Sequence, residues 1–294
     1  MYKVAVVVQG DCRGVTSRVI NFYKKRSDLV IYSTWQDIVT KQILPDNQTH
    51  IIKSKYPPNP GGTNRNYQRF STIEGLKLAK ELKCTHVLKI RSDMVMVFFY
   101  PRIWIFLLEK INKKFVSTPY RCATSKPDFL SSICDYFNFG KVDDMLELWR
   151  IDNLKLDKEY QLPSYINKSE LGFTLNTSNY CAESELYALL TESNICKKLD
   201  LKDHLKIIRK FFILIPISLL GIVWFENKNS FRTIFPGSEH PWWNIFNYYL
   251  PPTYFYPNYK YKKNKIFKLK KIFFKLFYKF DYLYQSILTN LLKI

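Results

Sequence analysis

Apolar and polar positions follow two alternating periods along the first hundred residues of the chain. Runs of apolar residues predict strands at 4–8, 29–32, 50–52 and 85–90. Positions recurring near a period of 3.6 predict helices at about 16–25, 35–42 and 64–83, separated from the strands by Gly-, Pro- and Asn-rich loops. Alternating strands and helices are typical of an α/β fold in which helices cover a mostly parallel, Rossmann-like sheet.

Beyond residue 100 the pattern is less regular. Strands are predicted at 115–118 and within 131–139, and helices at 141–149 and from 180 to about 190. Residues 211–225 are fifteen uncharged residues, but crossing a bilayer takes about 20, and Pro216 and Gly221 interrupt the run. This segment is therefore predicted to be a buried strand or to lie at a membrane surface.

The positive charge is concentrated at the end of the chain. The formal net charge is +20, and residues 259–294 hold ten Lys against one acid, Asp281. From Lys265 onward apolar residues recur at helical spacing, with lysines on the other faces, which predicts a basic amphipathic helical tail. Basic, aromatic tails also bind nucleic acid, but the continuous apolar stripe favours an anionic membrane. We therefore expect a membrane partner for residues 251–294 and no nucleic acid.

Cysteine usage and the start of the chain indicate a cellular setting. The six Cys show no C-x-x-C spacing, which argues against a zinc site or a small disulfide scaffold. The apolar run at 4–8 is too short for the core of a signal peptide. We therefore expect a reduced, cytoplasmic setting, with the tail holding the protein on the inner face of the plasma membrane.

Several enzyme classes lack their motifs in this sequence. No G-x-G-x-x-G follows the first strand, as a dinucleotide site of the Rossmann type would need. The phosphate-binding G-x-x-x-x-G-K-[ST] and the hydrolase motif G-x-S-x-G are also absent. A different kind of ligand site is therefore expected at the sheet.

Polar loops follow the predicted strands where a parallel sheet binds ligands. Such sheets bind in the crevice outside the carboxyl ends of their strands. A further group of polar residues opens the long helix, where free backbone N–H groups favour an anion. The residues expected at this crevice are Gln9, Gly10, Arg13, Ser33, Thr34, Trp35, Asn64, Asn66, Arg69, Arg91 and Asp93. A phosphate-bearing ligand fits this set, and Trp35 or Tyr32 could stack on a base.

Asp93, in the segment KIRSDMVM, is the one carboxylate between the apolar strand that ends at Ile90 and the apolar residues that begin at Met94. A carboxylate at a strand end can hold a divalent cation against a diphosphate, because Mg²⁺ usually takes one or two carboxylates plus substrate phosphates. The alternative is that Asp93 pairs with Arg91 or caps a turn. Position alone leaves both open.

Four ordered segments resemble the WavE family of lipopolysaccharide-synthesis proteins. They are QGDCRGVTSRVI after the first strand, YSTW after the second, GGTNRNYQRF at the long helix and KIRSDM after the fourth strand. Weaker likenesses are FNFGKVDDMLELW at 137–149 and CAESEL at 181–186. The resemblance implies a glycosyltransferase with a GT-A-like fold, in which an Asp-x-Asp element binds a metal and the nucleotide phosphates.

This chain departs from that pattern because Arg91 stands where the first Asp would be. Either Asp93 holds Mg²⁺ or Mn²⁺ with few protein ligands, with His240 as a second, or Arg91 offsets phosphate charge and a metal matters less. An inverting transferase also needs a carboxylate base for the acceptor hydroxyl. Glu183 and Glu185 are the candidates, with Asp143 and Asp144 behind them. Acids in a first helical turn would equally be explained by the helix dipole.

The expected organisation is a catalytic domain over residues 1–250 followed by the tail at 251–294. Within the domain, residues 1–100 would bind a nucleotide-sugar donor and 101–250 a glycan or lipid-linked acceptor. The expected activity is sugar transfer to a surface polysaccharide, such as lipopolysaccharide or capsule. The alternative is a non-catalytic, membrane-associated scaffold of a polysaccharide assembly complex, which the missing first Asp would favour.

Overall fold

The computed structural model describes residues 2–40, 43–60, 64–118, 133–150, 186, 201–215, 220–227 and 230–233, which form a mixed α/β fold. The strands are β1 (Val4–Gln9), β2 (Leu29–Trp35), β3 (Thr49–Ser54), β4 (His86–Arg91), β5 (Met94–Met96), β6 (Phe115–Ser117), β7 (Phe137–Lys141), β8 (Phe212–Leu214), β9 (Ile222–Asn227) and β10 (Ser230–Thr233). The helices are α1 (Thr16–Lys24), α2 (Arg65–Glu81), α3 (Pro101–Ile111), α4 (Val142–Trp149) and α5 (Leu201–Phe211).

Seven strands form the main sheet, in the order β3-β2-β1-β4-β7-β6-β8. The pairs β3–β2, β2–β1, β1–β4 and β6–β8 are parallel, whereas β7 runs antiparallel to both β4 and β6. The mostly parallel sheet predicted from the sequence is confirmed. The reversed strand β7 was not predicted, and it matters because its first residue lies at the same edge as the last residues of β1 and β4.

Strand β1 lies at the centre of the fold and is buried on both faces. Val4, Val6 and Val8 pack into one apolar core, and Ala5 and Val7 into the other. Helices α1 and α3 contribute to the first core, and α2, α4 and α5 to the second. Because side chains on both faces of β1 are shielded from water, an unbroken apolar run suits this position.

The strand order reverses direction between β1 and β4. Helix α1 connects β1 to β2 on one face, and α2 connects β3 to β4 on the other, so the chain winds outward from this point in both directions. In doubly wound sheets the two connections diverge here and leave an open crevice at the carboxyl ends of the two strands.

A second, three-stranded sheet has the order β10-β9-β5 and is antiparallel. Strand β8 of the main sheet and strand β9 lie within the apolar segment at 211–225, and Phe212–Leu214, Ile222, Val223 and Phe225 are buried, which agrees with the prediction of buried strand at these positions. Among the helices that the structure describes, none combines the length and the hydropathy that crossing a bilayer would take.

One predicted helix is wrong, and others lie outside the described residues. Trp35 ends β2, and residues 36–40 form turns and irregular chain instead of the helix expected at 35–42. Pairing with β3 through Trp35 extends the strand by three residues beyond the predicted end. The helix expected from residue 180 and the tail at 251–294 fall outside the described ranges, apart from Leu186, which is helical and buried.

Helix α2 approaches β1 closely at Gly75. A Cβ atom at this position would lie 2.5 Å from Cγ1 of Val7, deep in the core. We expect Gly75→Ala to lower the free energy of unfolding by about 2 kcal/mol, since overpacking a close-packed core typically costs 1 to 3 kcal/mol. Urea denaturation measures this loss, with Lys77→Ala at an exposed position of the same helix as the comparison. Equal stability of Gly75→Ala and the parent chain would contradict the packing.

Candidate functional site

The carboxyl ends of β1 and β4 lie side by side, with Gln9 opposite Arg91. The loops that follow are tied together by backbone groups. The Ser92 N–H donates to the Gln9 carbonyl at 2.8 Å, and the Ser92 hydroxyl donates to the Asp11 carbonyl at 2.7 Å. The Gly10 N–H donates to the Ser33 carbonyl at 3.1 Å, which brings in β2. Three of the predicted loops therefore meet at one edge, as expected.

Gly10 is required where the loop after β1 turns. Its φ is +125°, a region that residues with a side chain rarely adopt, and a Cβ atom would lie 3.1 Å from Oγ of Ser92. The glycine lets the loop pass close to Ser92. It thereby places Arg13, three residues later, over the end of β4.

Asp93 lies between two arginines. Its side chain is buried, with 1% exposed. Arg91 donates from Nε to Oδ1 and from Nη2 to Oδ2, both at 3.0 Å, and Arg13 donates from Nη1 to Oδ2. The Asp93 carbonyl accepts the Phe225 N–H at 2.8 Å, so the backbone is fixed to β9. Asp93, just beyond the end of β4, therefore orders two guanidinium groups, that of Arg91 two residues away and that of Arg13 80 residues away in sequence.

The arginines, not the carboxylate, face the crevice. The Arg13 side chain is 42% exposed and that of Arg91 26%. Burial tends to lower the pKa of Arg91, but the hydrogen bonds and charge of Asp93 outweigh it, so the net effect is a raised pKa. Two positive charges against one negative give the Arg13–Asp93–Arg91 cluster a net positive charge. A guanidinium held by a carboxylate presents its remaining donors in a fixed plane, which suits phosphate oxygens.

A divalent metal fits this arrangement poorly. Both oxygens of Asp93 already accept hydrogen bonds from guanidinium groups. Within the described ranges, no three His, Cys, Asp or Glu side chains are grouped so that they could hold a metal ion. His240, the expected second ligand, and the expected bases Glu183 and Glu185 lie outside the described residues.

The residues that end β2 are buried rather than open to the crevice. Ser33 and Thr34 are fully buried, and the Ser33 hydroxyl donates to the Ser71 carbonyl at 2.6 Å, which joins β2 to α2. Trp35 is 2% exposed. These three side chains support the crevice wall, and we infer that their contribution is to position the loops.

An aromatic stack covers Trp35. The ring of Tyr56 lies 4.4 Å from that of Trp35 at an interplanar angle of 22°, and Tyr67 packs against both. Tyr56 is 39% exposed. Partial burial, reinforced by the negative charges of Asp37 and Asp11, raises the pKa of Tyr56 to about 12. Tyr56, rather than Trp35 or the buried Tyr32, is the ring that solvent and ligands can reach.

The polar residues that open α2 have different environments. Asn64 is exposed and has a left-handed conformation, with φ of 60°. The Asn66 amide is buried and donates to the Asn59 carbonyl at 3.0 Å, and Arg69 is fully buried. Of the three, Asn64 alone presents its side chain to solvent. Asn66 holds the preceding loop, and Arg69 lies within the protein interior.

A second charged cluster, which the sequence interpretation missed, adjoins Arg91. Lys89 is fully buried in β4, and its Nζ donates to the carbonyl of Asp135 and lies 4.7 Å from the centre of the Trp149 ring. The Asp135 carboxylate accepts from Nε2 of Gln68 at 2.7 Å. Burial, only partly offset by Asp135, lowers the pKa of Lys89 to about 8. The sequence feature that could have revealed this cluster is Lys89 itself, a lysine within an otherwise apolar strand.

The reversed direction of β7 brings Asp135 to this edge. Phe137, the first residue of β7, pairs with Ile90, and Asp135 precedes it by two residues. The same reversal carries the other end of β7 away, because Lys141 pairs with His86 at the start of β4. Asp143 and Asp144 therefore lie at the opposite edge, where they pair with Lys80 and Lys114 at 2.9 Å. As the second-rank candidates for the catalytic base, Asp143 and Asp144 therefore lie away from the crevice.

No family model matches the sequence, and a comparison with curated proteins finds no match. Among solved structures, the chain is similar to a cytidylyltransferase from Leptospira borgpetersenii, with 13% identity and a TM-score of 0.34. The alignment covers 52% of this chain and 66% of that one, just under two thirds of its length. A second is HddC from Yersinia pseudotuberculosis complexed with GMP-PN, with 10% identity, a TM-score of 0.32, and 54% and 82% of the two chains covered.

Proposed function

We propose that this protein is a glycosyltransferase of GT-A-like fold that takes its sugar from a nucleotide-sugar donor. The supporting observation is the Arg13–Asp93–Arg91 cluster at the point where the strand order reverses. Doubly wound sheets bind ligands at this point. The cluster is cationic and partly open to solvent, and a nucleoside diphosphate is an anion of suitable shape for two guanidinium groups.

The proposed role of the arginines is to bind the diphosphate and stabilise it as a leaving group. Negative charge grows on the β-phosphate as the sugar–phosphate bond breaks, and fixed cations stabilise that charge without reorganising. Asp93 is proposed to keep both guanidinium groups in place. This corresponds to the second of the two alternatives for Arg91, in which a metal contributes less than in an Asp-x-Asp site.

The aromatic stack is proposed to bind the base of the donor. Tyr56 is partly exposed and lies parallel to Trp35, so a base could stack on its outer face. Asp11 and Asp37 lie close enough to affect the pKa of Tyr56, and their carboxylates could accept hydrogen bonds from a base or ribose. Trp35 is the last residue of β2, so the stack lies at the same edge of the sheet as Arg13 and Arg91.

Catalysis further requires a base that removes a proton from the acceptor hydroxyl as the new bond to the sugar forms. Glu183 or Glu185 remains the proposed base, and a glycan or lipid-linked acceptor the proposed second substrate. The tail at 251–294 is proposed to bring the enzyme to the inner face of the plasma membrane, where acceptors of a surface polysaccharide are built.

One observation favours the alternative, a scaffold that binds a nucleotide-sugar without turnover. Both oxygens of Asp93, the acid that the resemblance would assign to chemistry at the crevice, are engaged by arginines. Donor binding without sugar transfer to any acceptor extract would support the scaffold.

Calorimetric titration with UDP-, GDP-, CMP- and dTDP-sugars tests the proposed function. We expect one donor to bind, and the dissociation constant to change less than about threefold between Mn²⁺ and EDTA, because arginines replace the metal. Arg13→Gln should weaken binding about tenfold, since a charge-assisted hydrogen bond contributes roughly 1.5 kcal/mol. Arg18→Gln on the exposed face of α1 is the matched control.

Two results would contradict this assignment. Binding that appears only with Mn²⁺ would return Asp93 to the role of metal ligand. Failure of all four donor classes to bind, with and without the metal, would remove the nucleotide-sugar site.

A further inference from the structure

Helix α3 has apolar side chains on two opposite faces. Trp104, Ile105 and Leu108 point into the core and are at most 4% exposed. Ile103 and Phe106 point the other way and are 55% and 62% exposed. A surface helix normally has polar residues on its outer face, so this one is unusual.

The outer face forms a continuous apolar stripe. Positions 103, 106, 107, 110 and 111 are separated by three and four residues, so their side chains lie along one side of the helix. Lys110 is the one charged residue among them, and Ile111 is 49% exposed. Tyr100, just before the helix, is 54% exposed. We call Tyr100, Ile103, Phe106, Leu107 and Ile111 the outer stripe.

Exposed apolar side chains are concentrated here. Of the eight large apolar residues that are exposed among the described residues, four belong to the outer stripe, and a fifth, Tyr2, donates a hydrogen bond to Glu109 of α3 at 2.7 Å. Single exposed apolar residues are ordinary, but a contiguous group indicates a partner.

A basic depression borders the first turn of α3. Its volume is about 540 Å³, and Pro101 and Arg102 form part of its wall. The other charged residues that line it are Lys24, Lys25, Arg26 and Asp28, at and after the end of α1. Lys24 pairs with Asp46, so three further positive charges, on Lys25, Arg26 and Arg102, meet the negative charge of Asp28 beside the outer stripe. Both features lie at the amino-terminal end of β1, since Val4 also lines the depression, and not at the crevice.

We propose that the outer stripe and this basic depression form a docking surface for an anionic lipid bilayer. Ile103 and Phe106 enter the boundary between headgroups and acyl chains, while the lysines and arginines contact lipid phosphates. Apolar residues flanked by Lys and Arg are what interfacial helices use, and each basic residue near the surface adds attraction to anionic lipid. The surface stands independently of the crevice and of its proposed donor.

Charge favours lipid over two other occupants. The basic tail at 259–294 has the same sign as the depression, so electrostatic repulsion opposes its binding there. A second copy of this chain across a two-fold axis would bring the same basic groups toward one another. A phosphate-rich bilayer complements both the stripe and the charge.

Co-sedimentation of the full chain with vesicles tests the proposal. Ile103→Glu combined with Phe106→Glu should lower partitioning into vesicles of phosphatidylglycerol and phosphatidylcholine at least tenfold. Because both positions are exposed, the unfolding midpoint should stay at the parent value. Val39→Glu combined with Leu44→Glu is the matched control, since these side chains are 67% and 79% exposed and lie outside the stripe. The control should partition like the parent chain.

A second pair of variants separates the charge from the apolar contribution. Lys25→Gln combined with Arg102→Gln should reduce partitioning into anionic vesicles severalfold and leave the weak partitioning into pure phosphatidylcholine unchanged.

Three outcomes would overturn the proposal. Unchanged partitioning of the Ile103→Glu, Phe106→Glu variant would mean that the tail alone binds membranes. A dimer of the parent chain in light scattering that this variant converts to a monomer would identify a second copy as the occupant. A large fall in its unfolding midpoint would mean that the chain itself covers the stripe.

Discussion

Replacing Asp93 with alanine abolishes donor binding and sugar transfer, and we expect the free energy of unfolding to fall by about 3 kcal/mol. The buried carboxylate accepts hydrogen bonds from Arg13 and Arg91, and its removal leaves two partly exposed guanidinium groups beside each other. Removing one partner of a fully buried ion pair typically costs 3 to 5 kcal/mol, and solvent screening of the two arginines places this loss at the low end of that range. Calorimetry with the donor and urea denaturation measure the two effects.

The more conservative Asp93→Asn separates binding from stability. Asparagine keeps the volume and one acceptor oxygen, so the fold should survive with a smaller loss, while both arginines lose the anion that orders them. We expect donor affinity to fall at least a hundredfold. In a double-mutant cycle with Arg13→Gln, the two effects should be far from additive, because both residues act in one cluster. Donor binding and transfer by Asp93→Asn at the level of the parent chain would refute the role of the cluster.

Raising the pH from 8 to 10 should stabilise the protein by about 2 to 3 kcal/mol through Lys89. Burial lowers the pKa of this lysine from 10.5 to about 8 in the folded chain. Between these values the unfolded chain binds a proton that the folded chain does not, so stability rises with pH by up to about 1.4 kcal/mol per unit. The stabilisation that neutral Lys89 provides is complete above pH 10.5 and is lost as the pH falls through 8.

Urea denaturation at pH 7.5, 8.5 and 9.5 measures this rise. Lys89→Met should abolish it, whereas Lys77→Met, at an exposed site on α2, should retain it. Above pH 10 the buried Tyr23 and Tyr32, whose pKa values burial raises, oppose the trend, so the comparison ends below that pH. Parallel stability curves for Lys89→Met and the parent chain would show that Lys89 does not carry the effect.

The first half of the sheet could be predicted from the sequence, whereas several later elements could not. Strands β1, β2 and β4 and helices α1 and α2 follow recognisable patterns, β3 a weaker one, and their order alone implied the crevice. Helix α3 was not predicted, and its apolar residues lie both on the core face and on the solvent side, where Ile103 and Phe106 are exposed. The helix expected after Trp35 failed because pairing with β3, a tertiary contact, outweighed the local pattern.

At the candidate site, the sequence identified Asp93 but not its surroundings. Arg91 is two residues away, and its pairing with Asp93 was one of two open alternatives; the contact with Arg13 depends on how β1 and β4 lie together. The cluster of Lys89 and Asp135 depends on the reversed β7, a direction that no local period encodes. Side chains that follow strands were expected to face the crevice, yet Ser33 and Trp35 are held inward by α2 and Tyr56.

The hydrogen bond from Phe225 to the Asp93 carbonyl has a consequence for how the protein is made. The strand β5 that follows Asp93 pairs with β9, so the backbone that aims the acid depends on residues 222–225. During synthesis the amino-terminal strands leave the ribosome first. Arg13 and Asp93 emerge early, but the segment that fixes them emerges more than a hundred residues later. A nascent chain stalled before β9 should therefore bind no nucleotide, however complete its first four strands are.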